Sequence, residues 1–420
     1  MTSTSSSVPL FLTSVPSRRR WAAVVGAFAL VGVAGCSGTA AEPPPAAASP
    51  STAASPSVVP EPSPSLTPSP SPTPTPSPTP SPTPTPPPAP ARAATNVPMT
   101  KLAPGEMPPQ FVIFSFDGVG WHERWTEFSE AAAQVDARFT GFLTGIYLLT
   151  DDQRGAYTGP GHTSGKASVG FGGSADDVTT LVGDLNTAYL AGHEIGTHYN
   201  GHFCADNAPG GGAWSTADWN SELDQFFTFW DDWQTIDSLP DAPALQVPRS
   251  SVTGGRTPCL EGDWGQIAPA WAAHGQTYDS SIPGNGMAWP KQENGLWEFR
   301  MQSTQSPTLG NVMAMDYNFW YKFNKATNEP ARATEIHDAV LGTYRHMYEA
   351  VSTGNRAPML VANHFNQWSG NAFNPAARDF MLEVCGQPGT ICATYQDVIA
   401  WMELQDPAVL AELQGRAPVF

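Results

Sequence analysis

FVIFSFDGVG, Phe111 to Gly120, sets six strand-forming residues in front of one aspartate and two nearby glycines. A β-branched and aromatic run that stops at an acid and a tight turn predicts a buried strand that delivers Asp117 to the end of a sheet. Outward from it, strand-like and helix-like segments alternate. Trp121–Phe139 reads as a helix, and Gly145–Leu149 and His193–Thr197 read as the next two strands. Ser215, with Asp218 three residues on, opens a helix with Trp219, Leu223, Phe226, Phe227 and Trp230 on one face. Leu245–Pro248, Thr277–Asp279, Trp297–Met301, Val312–Asp316 and Pro358–Ala362 read as short apolar strands. Thr334–Val351 is a further helix, with Ile336, Val340, Tyr344 and Met347 at helical spacing. This alternation predicts an α/β fold, either a (β/α) barrel or a doubly wound sheet. Its chemistry belongs at the strand ends.

The chain has 420 residues and 43 prolines, and the prolines crowd between Pro43 and Pro90. Roughly 310 residues are left to build a core, enough for one large domain. From Pro43 to Pro98 proline, alanine, serine and threonine dominate, so there is no apolar set to bury. Proline stiffens such a segment to roughly 3.1 Å per residue, an upper reach on the order of 150 Å. Ahead of it, Arg18–Arg20 precede a short apolar run and small residues before Cys36. The run is too short for a comfortable membrane span and reads as a secretory leader. Its VAGC ending resembles a bacterial lipobox, in which Cys36 becomes the lipidated first residue. The expected organisation is a leader over 1–35, a lipid-anchored disordered linker over 36–104 and a folded domain over 105–420. The expected location is the outer face of the bacterial cell membrane, with the domain reaching into the cell wall.

The formal charge is −18, from 20 Lys+Arg against 38 Asp+Glu. An acidic surface repels phosphate backbones, which excludes nucleic acid as a partner. Cys204, Cys259, Cys385 and Cys392 form an even set in an exported chain and point to disulfides. Cys385 and Cys392 are close enough in sequence to close a small loop, which leaves Cys204–Cys259 as the long-range bridge.

The densest chemistry lies in AGHEIGTHYNGHF, with His193, His198 and His202. His198 and His202 are four apart, so one helical turn would bring both imidazoles to one side, a spacing suited to a metal. GHEIGTHYNGH resembles the second motif of NodB-type polysaccharide deacetylases. In that family the last two histidines bind the metal and the earlier one is structural. The resemblance therefore implies His198 and His202 as ligands and His193 as a buried support. Further elements follow in the family's order. SVTGGRTPCLEGDWG carries Arg256 and Pro258, TYDSS carries Asp279, and PMLVANHFNQW carries His364 after a strand.

These matches imply a distorted (β/α) barrel of the NodB type and hydrolysis of an N-acetyl or O-acetyl group on a glycan, peptidoglycan or a chitin-like polymer. They imply a divalent metal, zinc above all, although cobalt and manganese also suit His/Asp sites. Asp117 would be the general base, Arg256 its partner, and His364 the general acid, tuned by Asp279. One element departs. The family's first motif is TFDDG, whose first aspartate is the base and whose second is the third metal ligand. SFDGVG aligns without a gap to make Asp117 the base and to put Gly118 at the ligand position. A one-residue shift makes Asp117 the ligand and leaves the base missing. Asp316, in VMAMDYN, closes another strand and is the candidate replacement ligand. The departure also opens a second reading, a non-catalytic glycan-binding protein on the same barrel, for which the 14 tryptophans offer stacking faces.

Overall fold

The computed structural model describes residues 91–420. Cys36, the leader and the linker up to residue 90 lie outside these residues. The folded part starts earlier than the composition suggests. Residues 91–104 lie along the domain rather than leading up to it. The Ala93 amide donates to the Leu190 carbonyl, Asn96 donates to the carbonyls of Asp136 and Cys392, and Val97 is buried.

The elements alternate as expected. They run β1 (Gln110–Asp117), α1 (His122–Gln134), β2 (Phe139–Leu143), α2 (Ala175–Leu190), β3 (Glu194–Thr197), α3 (Thr216–Ile236), β4 (Gly254–Gly255), α4 (Trp264–Ala273) and β5 (Tyr278–Asp279). A hairpin, β6 (Lys291–Glu293) and β7 (Leu296–Glu298), precedes a two-stranded ribbon, β8 (Ser303–Ser306) and β9 (Gly310–Met313). The chain finishes with α5 (Asp316–Asn324), α6 (Ala333–Thr353), β10 (Met359–His364), the distorted turn α7 (Trp368–Asn371), α8 (Phe373–Val384), β11 (Thr390–Cys392), α9 (Tyr395–Leu404) and α10 (Pro407–Gly415).

The main sheet has the order β10-β1-β2-β3-β4-β5-β7-β6, with β11 also paired to β1. Every pairing in it is parallel except the β6–β7 hairpin. β1 lies between β10 and β2, and all eight of its residues are buried, as a central strand covered on both faces requires. The sheet is rolled. β4 is three places from β1, yet Arg256, just past β4, reaches Ser115 and Asp117 of β1. Tyr395, just past β11, stacks on Tyr278 of β5 with ring centroids 5.0 Å apart. Isolated parallel bridges, Pro283–Met301 and Met315–Ala362, continue the roll, but among the described residues no ladder closes it.

Several boundaries differ from the sequence reading. Helix α1 stops at Gln134, because Phe139 begins β2. Gly145–Leu148 is a single 3-10 turn after β2 rather than a strand. Leu245–Pro248 is not a strand either, and its Val247 packs under α3 with its carbonyl bonded by the Trp230 indole. Val312 pairs within the ribbon, whereas Asp316 begins α5. Short apolar runs do not tell a strand from a packed loop. Helix α3, in contrast, starts with the expected capping box, Ser215 and Asp218 each bonding the other's amide. Both disulfides, Cys204–Cys259 and Cys385–Cys392, form as expected.

Candidate active site

The strand ends on one side of the sheet bring the predicted residues together. Asp117 ends β1, His198 follows β3, Arg256 follows β4, Asp279 ends β5 and His364 ends β10. Register explains the arrangement. Leu143 of β2 pairs with Thr197 of β3, and Thr197 with Gly255 of β4, so the next residues, Thr144, His198 and Arg256, lie side by side. Side chains alternate along a strand, so these three share a face with Phe142 and with its partner Asp117. That face lines the inside of the roll.

Arg256 is fully buried and each of its three guanidinium nitrogens is hydrogen-bonded. Its Nη1 donates to Asp117 Oδ1 at 2.7 Å, its Nε to the Ser280 carbonyl at 2.7 Å, and its Nη2 to Ser280 Oγ, Tyr395 Oη and Ser115 Oγ. The ring of Phe142 covers the guanidinium at 4.9 Å. Burial alone would raise the pKa of Asp117, but the charge of Arg256, helped by His198 and His364, holds it below the usual carboxylate value. The resemblance expected Asp117 beside Arg256. Ser115, Ser280 and Tyr395 were not foreseen, because a serine or tyrosine carries no sequence mark of an arginine partner.

His364 stands on the far side of Asp117, with its Nε2 4.0 Å from Asp117 Oδ2. Its Nδ1 is 2.7 Å from Asp316 Oδ1, and its backbone amide donates to Asp316 Oδ2. Burial pushes this imidazole down, but the charge and hydrogen bond of Asp316 overcome it, so the pKa of His364 is raised. Two expectations change here. Asp279 does not tune His364. Asp279 accepts from the amide and hydroxyl of Ser281 and lies beside Glu298 on β7. Burial raises both carboxyls and the charge of Asp279 raises Glu298 further, so this pair retains a proton. Asp316 is not the replacement ligand either. Both of its oxygens are taken up by His364 and by the Tyr317 amide.

His198 and His202 do come together, but no helical turn joins them. They sit on a loop after β3 in which Tyr199 and His202 have left-handed backbones, at φ 54 each, and their ring centroids are 5.2 Å apart. Burial lowers His198 to about 4 and His202 to about 3, so both imidazoles are neutral at ordinary pH. His198 Nδ1 lies 2.9 Å from the Arg256 carbonyl, which fixes the proton on that nitrogen. Its Nε2 is buried with no hydrogen-bond partner. A buried imidazole whose second nitrogen is held by a carbonyl and whose first is left bare fits a metal ligand. His202 presents its ring beside it, with Nδ1 3.4 Å from Cys204 Sγ. His193 is the expected buried support, stacked on Phe139 at 3.9 Å and accepting from the Phe139 amide.

Beneath this loop lies Glu222 of α3, fully buried, accepting from Tyr157 Oη at 2.6 Å and from the Asn200 amide and side chain at 3.2 Å. Burial pushes Glu222 up to about 7 against these donors. It had no signal in the sequence, because an acid on the buried stripe of an amphipathic helix reads as a surface residue.

No protein-family model and no curated protein matches the chain. Its structure is similar to that of a candidate polysaccharide deacetylase from Mycobacterium smegmatis, at 15% identity and TM-score 0.43 over 76% of this chain and 97% of that one. It is similar to a family 4 carbohydrate esterase from Streptomyces lividans, at 12% identity and TM-score 0.33 over 67% and 91% of the two chains. It is also similar to a family 4 pseudoenzyme from Bacillus anthracis, at 10% identity and TM-score 0.34 over 66% and 60%. The likeness is one of fold.

Proposed function

We propose that this protein is a metal-dependent hydrolase that removes acetyl groups from an N-acetylated or O-acetylated polysaccharide. The observation that carries the reading is the order Arg256–Asp117–His364, a carboxylate held ionised by a buried arginine with an imidazole 4.0 Å from its other oxygen. A binding module has no use for a base and an acid placed on either side of one point.

His198 and His202 would hold the cation. When bound, a divalent metal such as zinc supplies Lewis-acid polarisation of the acetyl carbonyl and a water of lowered pKa. Asp117 Oδ2, the oxygen that Arg256 Nη1 leaves uncommitted, takes the proton of the attacking water. Arg256 keeps that carboxylate charged and is itself held in place by Ser115, Ser280 and Tyr395. His364 donates from Nε2 to the departing amine or alcohol, because Asp316 at Nδ1 favours the protonated ring. His364→Ala should lower acetate release from acetylated chito-oligosaccharides by roughly 100-fold or more while zinc content stays at the wild-type level. Full activity in this variant would remove His364 from the mechanism.

The substrate fits the proposed location. A lipid on Cys36 and the proline-rich stretch after it would tether the domain on the outer face of the bacterial membrane within reach of peptidoglycan, with chitin-like polymers as the alternative substrate. The second reading, a glycan-binding protein without turnover, is favoured by one observation, the glycine at position 118 where the family motif has a carboxylate.

A further inference from the structure

Two hydroxyls stand beside the place left by that missing carboxylate. Gly118 has φ 61, and a Cβ built on it would lie 3.5 Å from Tyr147 Oη and 3.6 Å from Thr144 Oγ1. Two hydroxyls from one turn therefore converge where a side chain at 118 would begin. The turn itself is fixed. The Tyr147 amide donates to the Thr144 carbonyl at 3.0 Å, and the Gly145 amide donates to the Tyr199 carbonyl in the histidine loop at 2.7 Å. The Tyr147 ring is pressed against the backbone of Gly120, where a Cβ would come within 2.8 Å of its Cδ2.

Thr144 is also the residue in register with His198, on the same face of the sheet, and the His198 amide donates to the neighbouring Leu143 carbonyl. Thr144 is 1% exposed and its Oγ1 has only the Tyr147 hydroxyl beside it, while His198 Nε2 has no hydrogen-bond partner. The bare His198 Nε2 and the Thr144 hydroxyl stand on adjacent strand ends on the same face, and a buried imidazole nitrogen without a partner carries a desolvation cost unless something binds it. An imidazole nitrogen and hydroxyl oxygens together make a mixed N/O donor set that suits a divalent cation.

We propose that the hydroxyls of Thr144 and Tyr147 supply the oxygen donors of the cation site that the glycine at position 118 does not. This rests on the reading of His198 and His202 as cation ligands, and the test separates the two. Zinc affinity of the purified full chain is measured by competition with a chromophoric chelator for the wild type, Thr144→Val, Tyr147→Phe and His198→Ala, with circular dichroism and melting to confirm that each folds. The expected result is that Thr144→Val and Tyr147→Phe each weaken zinc binding by about 10- to 100-fold, and that His198→Ala abolishes it.

Copper(II) gives a second readout that a merely structural tyrosine would not move. The copper-loaded wild type should show a visible phenolate-to-copper charge-transfer band, kept in Thr144→Val and lost in Tyr147→Phe. Wild-type zinc affinity in both hydroxyl variants, with binding lost only in His198→Ala, overturns the inference and leaves the histidine site standing. A copper form of the wild type without the band removes Tyr147 as a donor and overturns the proposed pair. A wild type that binds no zinc, or a His198→Ala variant that binds it equally, overturns both the inference and the reading beneath it.

Discussion

Asp117 and His364 sit 4.0 Å apart with opposite tuning, and the residues behind them set that difference. Arg256 lowers the carboxylate and Asp316 raises the imidazole, so between the two values the base is ionised while the acid is protonated. Activity should fall on the acid side only once Asp117 takes up a proton or the histidine pair becomes charged, and on the alkaline side as His364 loses its proton. Asp316→Asn removes the charge that lifts His364 and leaves its burial, so the alkaline limb of kcat/KM should move down by about one to two pH units. An unmoved limb would mean that another group gives up the proton.

Stability follows the same logic with each sign separate. The depressed Asp117 contributes above its unfolded value and loses its contribution as pH falls through its folded one. The raised His364 contributes below its unfolded value and loses it as pH rises through the folded one. The positions were legible in the sequence, because Asp117, Arg256, His198 and His364 each stand at a strand end, and His202 on the loop after one, within a recognisable string. The partner of His364 was not. Asp279 and Asp316 both close short strand-like runs, and only the fold decides which of them faces β10.

The loop between β3 and α3 carries both candidate ligands, and it is held by three separate devices. Tyr199 and His202 adopt left-handed backbones, Cys204 ties the loop to Cys259 across 55 residues, and Glu222 takes up the Asn200 amide from below. Left-handed non-glycine residues persist only where the surroundings over-determine them. Glu222→Ala would strand the Asn200 amide and the Tyr157 hydroxyl in a buried site. It should cost about 3 kcal/mol in urea unfolding and also weaken zinc binding, since the loop would no longer be pinned. A stability loss with unchanged zinc affinity would show that the disulfide alone positions the histidines. The four-residue spacing of His198 and His202 suggested a helical turn. The left-handed backbones at Tyr199 and His202 give a loop instead, and spacing alone does not distinguish the two.

The architecture as a whole was legible as an α/β alternation with chemistry at the strand ends. The rolling of the sheet was implied by the family resemblance and not by the alternation, because rolling depends on contacts between strands far apart in sequence, such as Arg256 with Ser115 and Tyr395 with Tyr278. Residues 91–104 look like linker by composition but contribute Val97 to the core. The roll makes one site out of five strand ends, and the proposed work of that site is deacetylation of a glycan. Its most direct test is acetate release from N-acetylated chito-oligosaccharides and from peptidoglycan fragments by the purified protein, stripped by chelator and then restored with zinc. No release is expected after stripping, release is expected on adding zinc, and none from zinc-loaded Asp117→Asn. Zinc-bound wild type that binds these glycans but frees no acetate would contradict deacetylation and leave a glycan-binding protein on the same fold.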